Sequence, residues 1–375
     1  MSGKNVRSLP FRAAVVRQPG GPFELNTVRF QSLRPHEVIV RIVATGMCHT
    51  DMVARDGLYP VPQPVVLGHE GAGVVTAIGA EVQRVTVGDH VVLTFLSCGT
   101  CRPCLEGAPA GCQNFNALNF SGQRCDGSHA LCGNDGQLLH DRFFGQSSFA
   151  EFAVVDQRNV VKVRPDAPLE MLGPLGCGIQ TGAGAVLNAL KVKAGSTFAA
   201  FGGGTVGLSG VMAAHVAGAT TIIAMDVVAE RLALARELGA THVINSREQD
   251  PVQAIREITG DGVDFSLDST GRPEIVRAAV EALRPRGLCG IVGASKPGTT
   301  FSLDMNDMMQ NCKVLRGIVE GDSIPDLFIT QLVELYMQGR FPIDKLMRFY
   351  AFDQINQAAA DSERGLTIKP VIRIG

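Results

Sequence analysis

Apolar positions along this chain fall into two textures that change near residue 180. Before that point, short β-branched runs at 38–44, 73–78 and 90–95 sit between Gly and Pro punctuation, which predicts strands. Segment 96–148 is dense in Cys, Gly and Asn and only weakly periodic. It predicts long loops, which a compact domain tolerates when something ties them down. After residue 180 the pattern alternates. Apolar runs at 197–201, 221–225, 243–244, 265–267 and 287–292 predict strands; 206–217, 229–238, 251–258 and 274–283 predict helices between them. That alternation belongs to the α/β class, a doubly wound parallel sheet with helices on both faces. The last segment returns to mixed texture, with a helix at 325–338. No repeat or linker-like tract is visible, so the domain boundary rests on the change of pattern.

Composition narrows the classes. A chain of 375 residues has room for two or three domains and a large core. Net charge is −2, Trp is absent and Tyr numbers 3, which argues against a nucleic-acid partner. The most apolar stretch, 205–229, is interrupted by Gly207, Gly210, His215, Gly218 and Asp226, so no membrane span is expected. Residues 1–10 have no apolar core behind their charges and predict no secretory signal. The expected location is cytoplasmic, where ten Cys read as thiols for metal binding or catalysis.

Residues 201–207 read FGGGTVG, a G-x-G-x-x-G turn between a predicted strand and a predicted helix. Gly202 would allow the tight turn, Gly204 would admit a pyrophosphate, and Gly207 would let helix and strand pack closely. Thr205 and Val206 open the helix, whose free N–H groups favour phosphate. Asp226 closes the following strand. Its carboxylate would accept from a ribose 2′-OH and repel a 2′-phosphate, and Val227 and Val228 supply no cation. These features predict a Rossmann site for NAD rather than NADP.

Cys98, Cys101, Cys104 and Cys112 have the spacing C-x₂-C-x₂-C-x₇-C. Four thiolates on short loops suit tetrahedral structural zinc. An iron–sulfur cluster competes, but ferredoxin-type runs continue x₃-C-P, whereas seven residues intervene here and Gln113 follows. Cys125, Cys132, His129 and His140 match no defensible metal spacing and read as free thiols and imidazoles. Cys48, His69 and Cys177 would complete a Cys₂His shell with an open position, but spacing alone does not show that they converge.

The stretch Gly68-His69-Glu70-Gly71-Ala72-Gly73, followed by Gly79 and Val82, matches GHE-x₂-G-x₅-G-x₂-V. On this signature, and on the order of Cys48, the four-Cys run, Cys177 and the nucleotide turn, the chain resembles the zinc-containing medium-chain alcohol dehydrogenases over its whole length. CHTD (48–51), FFGQSSFA (143–150) and GPLGCGIQTGAGAVLNAL (173–190) resemble the aryl (benzyl) alcohol branch, and geraniol-type dehydrogenases share much of that pattern.

The resemblance implies a β-rich GroES-like catalytic domain with a structural zinc lobe over 1–178, an NAD-binding Rossmann domain over 179–321, and a return to the catalytic domain over 322–375. It implies two Zn²⁺ per chain: a catalytic ion on Cys48, His69 and Cys177, and a structural ion on Cys98, Cys101, Cys104 and Cys112. Asp51 would orient the zinc-bound imidazole, Glu70 would stand behind the metal, and Thr50 would pass the alcohol proton outward. His49 and Lys369 would lie near the cofactor phosphates, Thr181 and Val292 near the nicotinamide, and Arg231 near the adenosine ribose. Where liver-type enzymes carry a His three residues after the relay hydroxyl, this chain has Val53, which leaves water or His49 as final proton acceptor.

The implied reaction is reversible oxidation of a primary benzylic or allylic alcohol to the aldehyde, with hydride transfer to NAD. Phe95, Phe120, Phe149 and Ile318 are candidate pocket residues. The alternatives are a glutathione-dependent formaldehyde dehydrogenase and a geraniol- or perillyl-type terpene alcohol dehydrogenase. The expected partners are a small alcohol or aldehyde and further copies of the chain, as a dimer or tetramer, with 314–319 as an edge strand able to pair across an interface. Neither membrane nor nucleic acid is expected.

Overall fold

The structure, a computed structural model, describes residues 10–375. The reading of 1–10 as free of a secretory signal falls, apart from Pro10, outside the described residues. The chain divides into two compact units, one of 1–177, 324–337 and 344–375, the other of 178–323 and 338–343.

The first unit is built on two mainly antiparallel sheets, with one parallel pair, Met347–Ala351 beside Lys369–Arg373. Strand Glu37–Gly46 is its centre, pairing with Glu70–Ile78, Phe152–Asp156 and Lys369–Arg373. His90–Leu93 and Val160–Lys162 extend the sheet on one side, and Met347–Ala351 on the other. A four-stranded sheet runs Val65–Val66, Phe11–Val16, Glu24–Phe30 and Leu131–Gly133. The β-branched runs lie where their valines and isoleucines are buried, as in the 37–46 strand with its single fully exposed position, Arg41. Segment 96–148 differs from the loop expectation. It carries short helices at Arg102–Leu105 and Phe115–Phe120 and the strand Leu131–Gly133. Pro103 in the first turn of 102–105 costs no hydrogen bond there, because that N–H has no intrahelical partner.

The second unit holds a six-stranded parallel sheet, ordered His242–Asn245, Thr221–Asp226, Thr197–Phe201, Val263–Asp268, Leu283–Ile291, Val314–Gly317. In sequence this is 3-2-1-4-5-6, the doubly wound dinucleotide-binding order. Its central strands read as continuous apolar runs because helices cover both faces. Helix Thr205–Val216 explains the apolar stretch at 205–229: residues 207–214 are all buried, as expected of a helix apolar all round. Pro251 opens helix Pro251–Thr259, with the Asp250 carboxylate accepting the Gln253 N–H at 2.8 Å. No helix among the described residues is long and apolar enough to cross a membrane.

Candidate metal centres and nucleotide turn

Three pieces of backbone meet in the first unit. Cys48 caps helix His49–Arg55, just after the central strand. His69 precedes strand Glu70–Ile78, whose first residue pairs with Gly46. Cys177 follows the helical turn Gly173–Gly176, which is fastened by the Thr94 hydroxyl donating to the Gly176 carbonyl at 2.9 Å. One donor atom each from Cys48, His69, Glu70 and Cys177 lies within 4.8 Å of the others.

His69 is fully buried, and its Nε2 has no hydrogen-bond partner. Its Nδ1 faces Asp51 Oδ1 at 2.9 Å. The same carboxylate accepts the Gly68 N–H at 3.1 Å and the Cys48 N–H at 2.9 Å, so it ties together the backbone beside two candidate ligands. Burial opposes charge on His69, but the Asp51 carboxylate and Cys48 outweigh it and hold its pKa well above the ordinary range. Hydrogen bonding with Cys177, then the Lys369 ammonium, holds the Cys48 thiol well below its usual range against burial. The lowered Cys48 thiol, the Cys177 sulfur beside it and an orphaned imidazole nitrogen fit a zinc ion with one position open. Thr50 Oγ1 stands 3.7 Å from Cys48 Sγ, at the edge of this basin.

An aromatic wall leans on His69. Phe144 stacks on the imidazole with ring centroids 4.4 Å apart, and Phe143 meets it edge-on at 5.3 Å. Phe144 has φ +51°, in the left-handed region, where its carbonyl accepts from the Asn159 carboxamide at 3.1 Å. Gln146 brackets His69 from behind, donating to the His69 carbonyl at 2.9 Å and accepting the Gly71 N–H at 3.1 Å. Phe95, buried beside Phe115, and the half-buried Phe120 belong to the same aromatic group. Phe149 does not. It is fully buried beneath Gly68 and against Phe23, because the Gly68 backbone leaves room for a ring where a Cβ would collide. Ile318 packs on Gly290 in the second unit.

Lys369, expected near the cofactor phosphates, pairs with Glu70. It is buried, with Nζ 2.8 Å from both carboxylate oxygens of Glu70 and 3.2 Å from the Met47 carbonyl. The reason is strand pairing: Lys369–Arg373 lies beside the central strand, and the Met47 N–H donates to the Pro370 carbonyl. Burial opposes the ammonium charge, but Glu70 and Cys48 outweigh it and push the Lys369 pKa up. His49 is exposed on the first turn of its helix, and Val53 on the same helix is half-buried.

The four-Cys lobe converges as its spacing suggests. Sγ–Sγ distances are 3.5 Å for Cys101–Cys104 and 3.9 Å for Cys98–Cys104 and Cys101–Cys112, and none of the ten cysteines, all among the described residues, forms a disulfide. A tetrahedral ion with arms of about 2.3 Å puts its sulfurs about 3.8 Å apart. An iron–sulfur cluster spreads its cysteines over several irons and needs a wider cage. N–H groups of Thr100 and Cys101 point at Cys98 Sγ, and the Thr100 N–H leads in pulling that thiol down to about 5. The lobe therefore fits a single zinc. Among the described residues no other group of three or more such donors converges; His129 and His140 only pack edge-on at 5.0 Å.

In the second unit, Gly202 has φ +107°, and a Cβ on Gly207 would stand 1.8 Å from the Gly202 carbonyl. A Cβ on Gly204 would meet nothing within 4 Å, so the backbone at the helix mouth, ahead of Thr205 and Val206, is open to a ligand. The Asp226 carboxylate accepts N–H groups from Gly203 at 2.6 Å, Val227 at 2.8 Å and Val228 at 2.9 Å, with Arg231 at 3.8 Å. An open phosphate cradle beside a fixed carboxylate fits a dinucleotide. Thr181 Oγ1 stands 3.5 Å from Glu320 Oε2, and Val292 donates its N–H to Asp268 at the end of strand Val263–Asp268. The Glu70–Lys369 pair and the Phe144–Gln146 bracket carry no spacing signal. Only the FFGQSSFA resemblance pointed toward the bracket.

Comparison with known proteins agrees with this geometry. Residues 34–165 match the alcohol dehydrogenase GroES-like domain, and 205–336 match the zinc-binding dehydrogenase family. A geraniol dehydrogenase of Castellaniella defragrans is 46% identical over 363 residues, 96% of this chain and 97% of that protein. The crystal structure of an alcohol dehydrogenase zinc-binding domain protein from Burkholderia ambifaria is 57% identical, with a TM-score of 0.97 over 98% of this chain and 99% of that one. That of benzyl alcohol dehydrogenase from Acinetobacter calcoaceticus is 53% identical, with a TM-score of 0.95 over 98% and 100%.

Proposed function

This chain belongs to the zinc-binding alcohol dehydrogenases with a GroES-like domain, and on that footing we propose that it transfers hydride reversibly between a primary benzylic or allylic alcohol and NAD. The observation that carries the substrate class is the aromatic wall stacked on His69. A ring or alkene beside the carbinol carbon finds ring faces and edges there. The two named relatives favour the same class, since benzyl alcohol and geraniol both carry a hydroxyl one carbon from a π system.

We assign catalysis to the first unit and cofactor binding to the second. Cys48, His69 and Cys177 would hold a catalytic Zn²⁺, and Cys98, Cys101, Cys104 and Cys112 a structural one. A zinc held there would supply Lewis acidity, lowering the pKa of an alcohol as it does that of water. Asp51 keeps the proton of His69 on Nδ1 and so presents Nε2 as a ligand. Thr50 takes the alcohol proton in a hydrogen bond and passes it outward. Val53 has no base to offer, so water or His49 receives it. Gly202, Gly204, Thr205, Val206 and Gly207 cradle the pyrophosphate, aided by His49. Asp226 and Arg231 hold the adenosine ribose, and Thr181 and Val292 position the nicotinamide.

The test is NADH formation from benzyl alcohol, geraniol, a short primary alcohol and S-hydroxymethylglutathione, with zinc counted per chain. Turnover led by benzyl alcohol or geraniol, with two zincs, is expected. Preference for the glutathione adduct would make this a formaldehyde dehydrogenase instead.

We also propose a cytoplasmic homo-oligomer. Strand Val314–Gly317 ends the sheet order with Val314 and Arg316 exposed, and an unpaired edge of this kind is a template for a second copy. A monomeric mass by light scattering would refute it.

A further inference from the structure

The carboxamide of Asn119 is fully buried and imitates half of a β-ladder. Its Oδ1 accepts the Leu96 N–H at 2.9 Å, and its Nδ2 donates to the Leu96 carbonyl at 2.9 Å and to the Phe115 carbonyl at 2.7 Å. Leu96 follows Phe95 in the segment that runs from the end of strand His90–Leu93 to Cys98. The Cys98 N–H points at Cys112 Sγ, 3.3 Å away, and the Cys112 carbonyl accepts the Phe115 N–H at 3.0 Å. Helix Phe115–Phe120 therefore starts at the fourth thiol of the lobe and is fastened back, through Asn119, to the segment that carries the first.

The same helix supplies part of the aromatic wall. Phe115 lies 5.7 Å from Phe95 and 6.3 Å from Phe144. Phe120 lies 5.1 Å from Phe144, the ring stacked on His69. A continuous packed path thus joins the Cys112 corner to the imidazole. The side chain that fastens it is a buried amide, and cutting it leaves the Leu96 N–H and carbonyl without that partner in a buried place.

We propose that Asn119 is a positioning residue that couples the four-thiol lobe to the aromatic wall, so that an ordered lobe sets the fit of a ring-bearing alcohol. The inference rests on the substrate reading above. A role in folding alone would lower stability and leave the balance between substrates unmoved.

The experiment compares zinc-loaded wild type, Asn119→Ala and Asn119→Asp. It reads the KM of benzyl alcohol against that of a short primary alcohol, zinc release from the lobe to a chelator, and hydrogen exchange at Leu96 and 115–120. For Asn119→Ala the KM ratio is expected to rise about tenfold, a loss of binding rather than of turnover. Release is expected to quicken by about 10–100-fold, as when the partners behind metal ligands are cut. Asn119→Asp keeps the acceptor for the Leu96 N–H and should fall between. An unchanged KM ratio with quickened release would overturn the proposal, and so would unchanged release.

If both variants fail to fold, Cys101→Ser decides: faster exchange at 115–120 supports the coupling, and unchanged exchange refutes it. Wild type that turns over no ring-bearing alcohol would sink the substrate reading instead, and release and exchange in the Asn119 variants would then judge the coupling.

Discussion

Lys369 seats its ammonium 2.8 Å from each carboxylate oxygen of Glu70, with both residues shut off from solvent directly behind the Cys48–His69–Cys177 basin. Neither charge has water to turn to, so each is tolerable only in the presence of the other. Lys369→Met is expected to cost about 3–5 kcal/mol, the range for breaking a buried pair from one side. Lys369→Met combined with Glu70→Gln should recover much of that loss, because no lone buried charge remains. Denaturant unfolding of the two single variants and the double variant measures it; additive losses would show that the two residues act separately.

Asp51 is expected to control metal retention more than stability. Its two oxygens serve His69 Nδ1, the Gly68 N–H and the Cys48 N–H, all of which orient candidate ligands. Asp51→Asn keeps the shape but weakens the acceptor for the imidazole proton. Zinc affinity should fall by about 10–100-fold, read by competition with a chromogenic chelator. An unchanged affinity would remove Asp51 from the metal site.

Asp226 is expected to set cofactor choice. Three backbone N–H groups lock its carboxylate in place, so its charge would meet a ribose without reorganisation. Asp226→Asn removes the charge and keeps the size. The KM for NAD should rise about tenfold, or ~1.4 kcal/mol, while that for NADP rises less or falls. Equal effects on the two cofactors would contradict the assignment.

A pH dependence follows from Asp141, which lies outside both metal sites. It is almost fully buried. Its Oδ2 accepts the N–H groups of Ala130 and Leu131, both at 2.6 Å, and its Oδ1 has no partner. Burial, opposed by Arg142, pushes its pKa up to about 7. The unfolded chain releases this proton near ~3.9. Between about pH 4 and 7 the folded state therefore holds more protons, so this group's contribution to stability falls as pH rises and levels off above 7. The full span is about 4 kcal/mol. Asp141→Asn keeps an acceptor for both N–H groups and abolishes the titration. The difference in unfolding free energy between variant and wild type should shift in the variant's favour from pH 5 to 7.5; a constant difference would exclude the effect.

What the sequence by itself determined was local. The strand–helix alternation after residue 180, the glycine turn at 202–207, Asp226 at the next strand end and the four-thiol spacing are all written within a few tens of residues. A turn, a helix mouth or a loop around one ion needs only neighbouring residues. The GHEGAG signature reached further, but only by resemblance.

Tertiary structure decided which distant residues meet. Cys48, His69 and Cys177 converge because Glu37–Gly46 pairs with Glu70–Ile78 and because Thr94 anchors the turn before Cys177. Lys369 reaches Glu70 because its strand pairs beside Thr45 and Gly46. Phe149 packed against Phe23 while Phe144, buried in the same core, took the imidazole face, although both are phenylalanines in one short stretch. Composition cannot separate them. The left-handed backbone at Phe144 and the space above Gly68 do, and both exist only once the strands have paired.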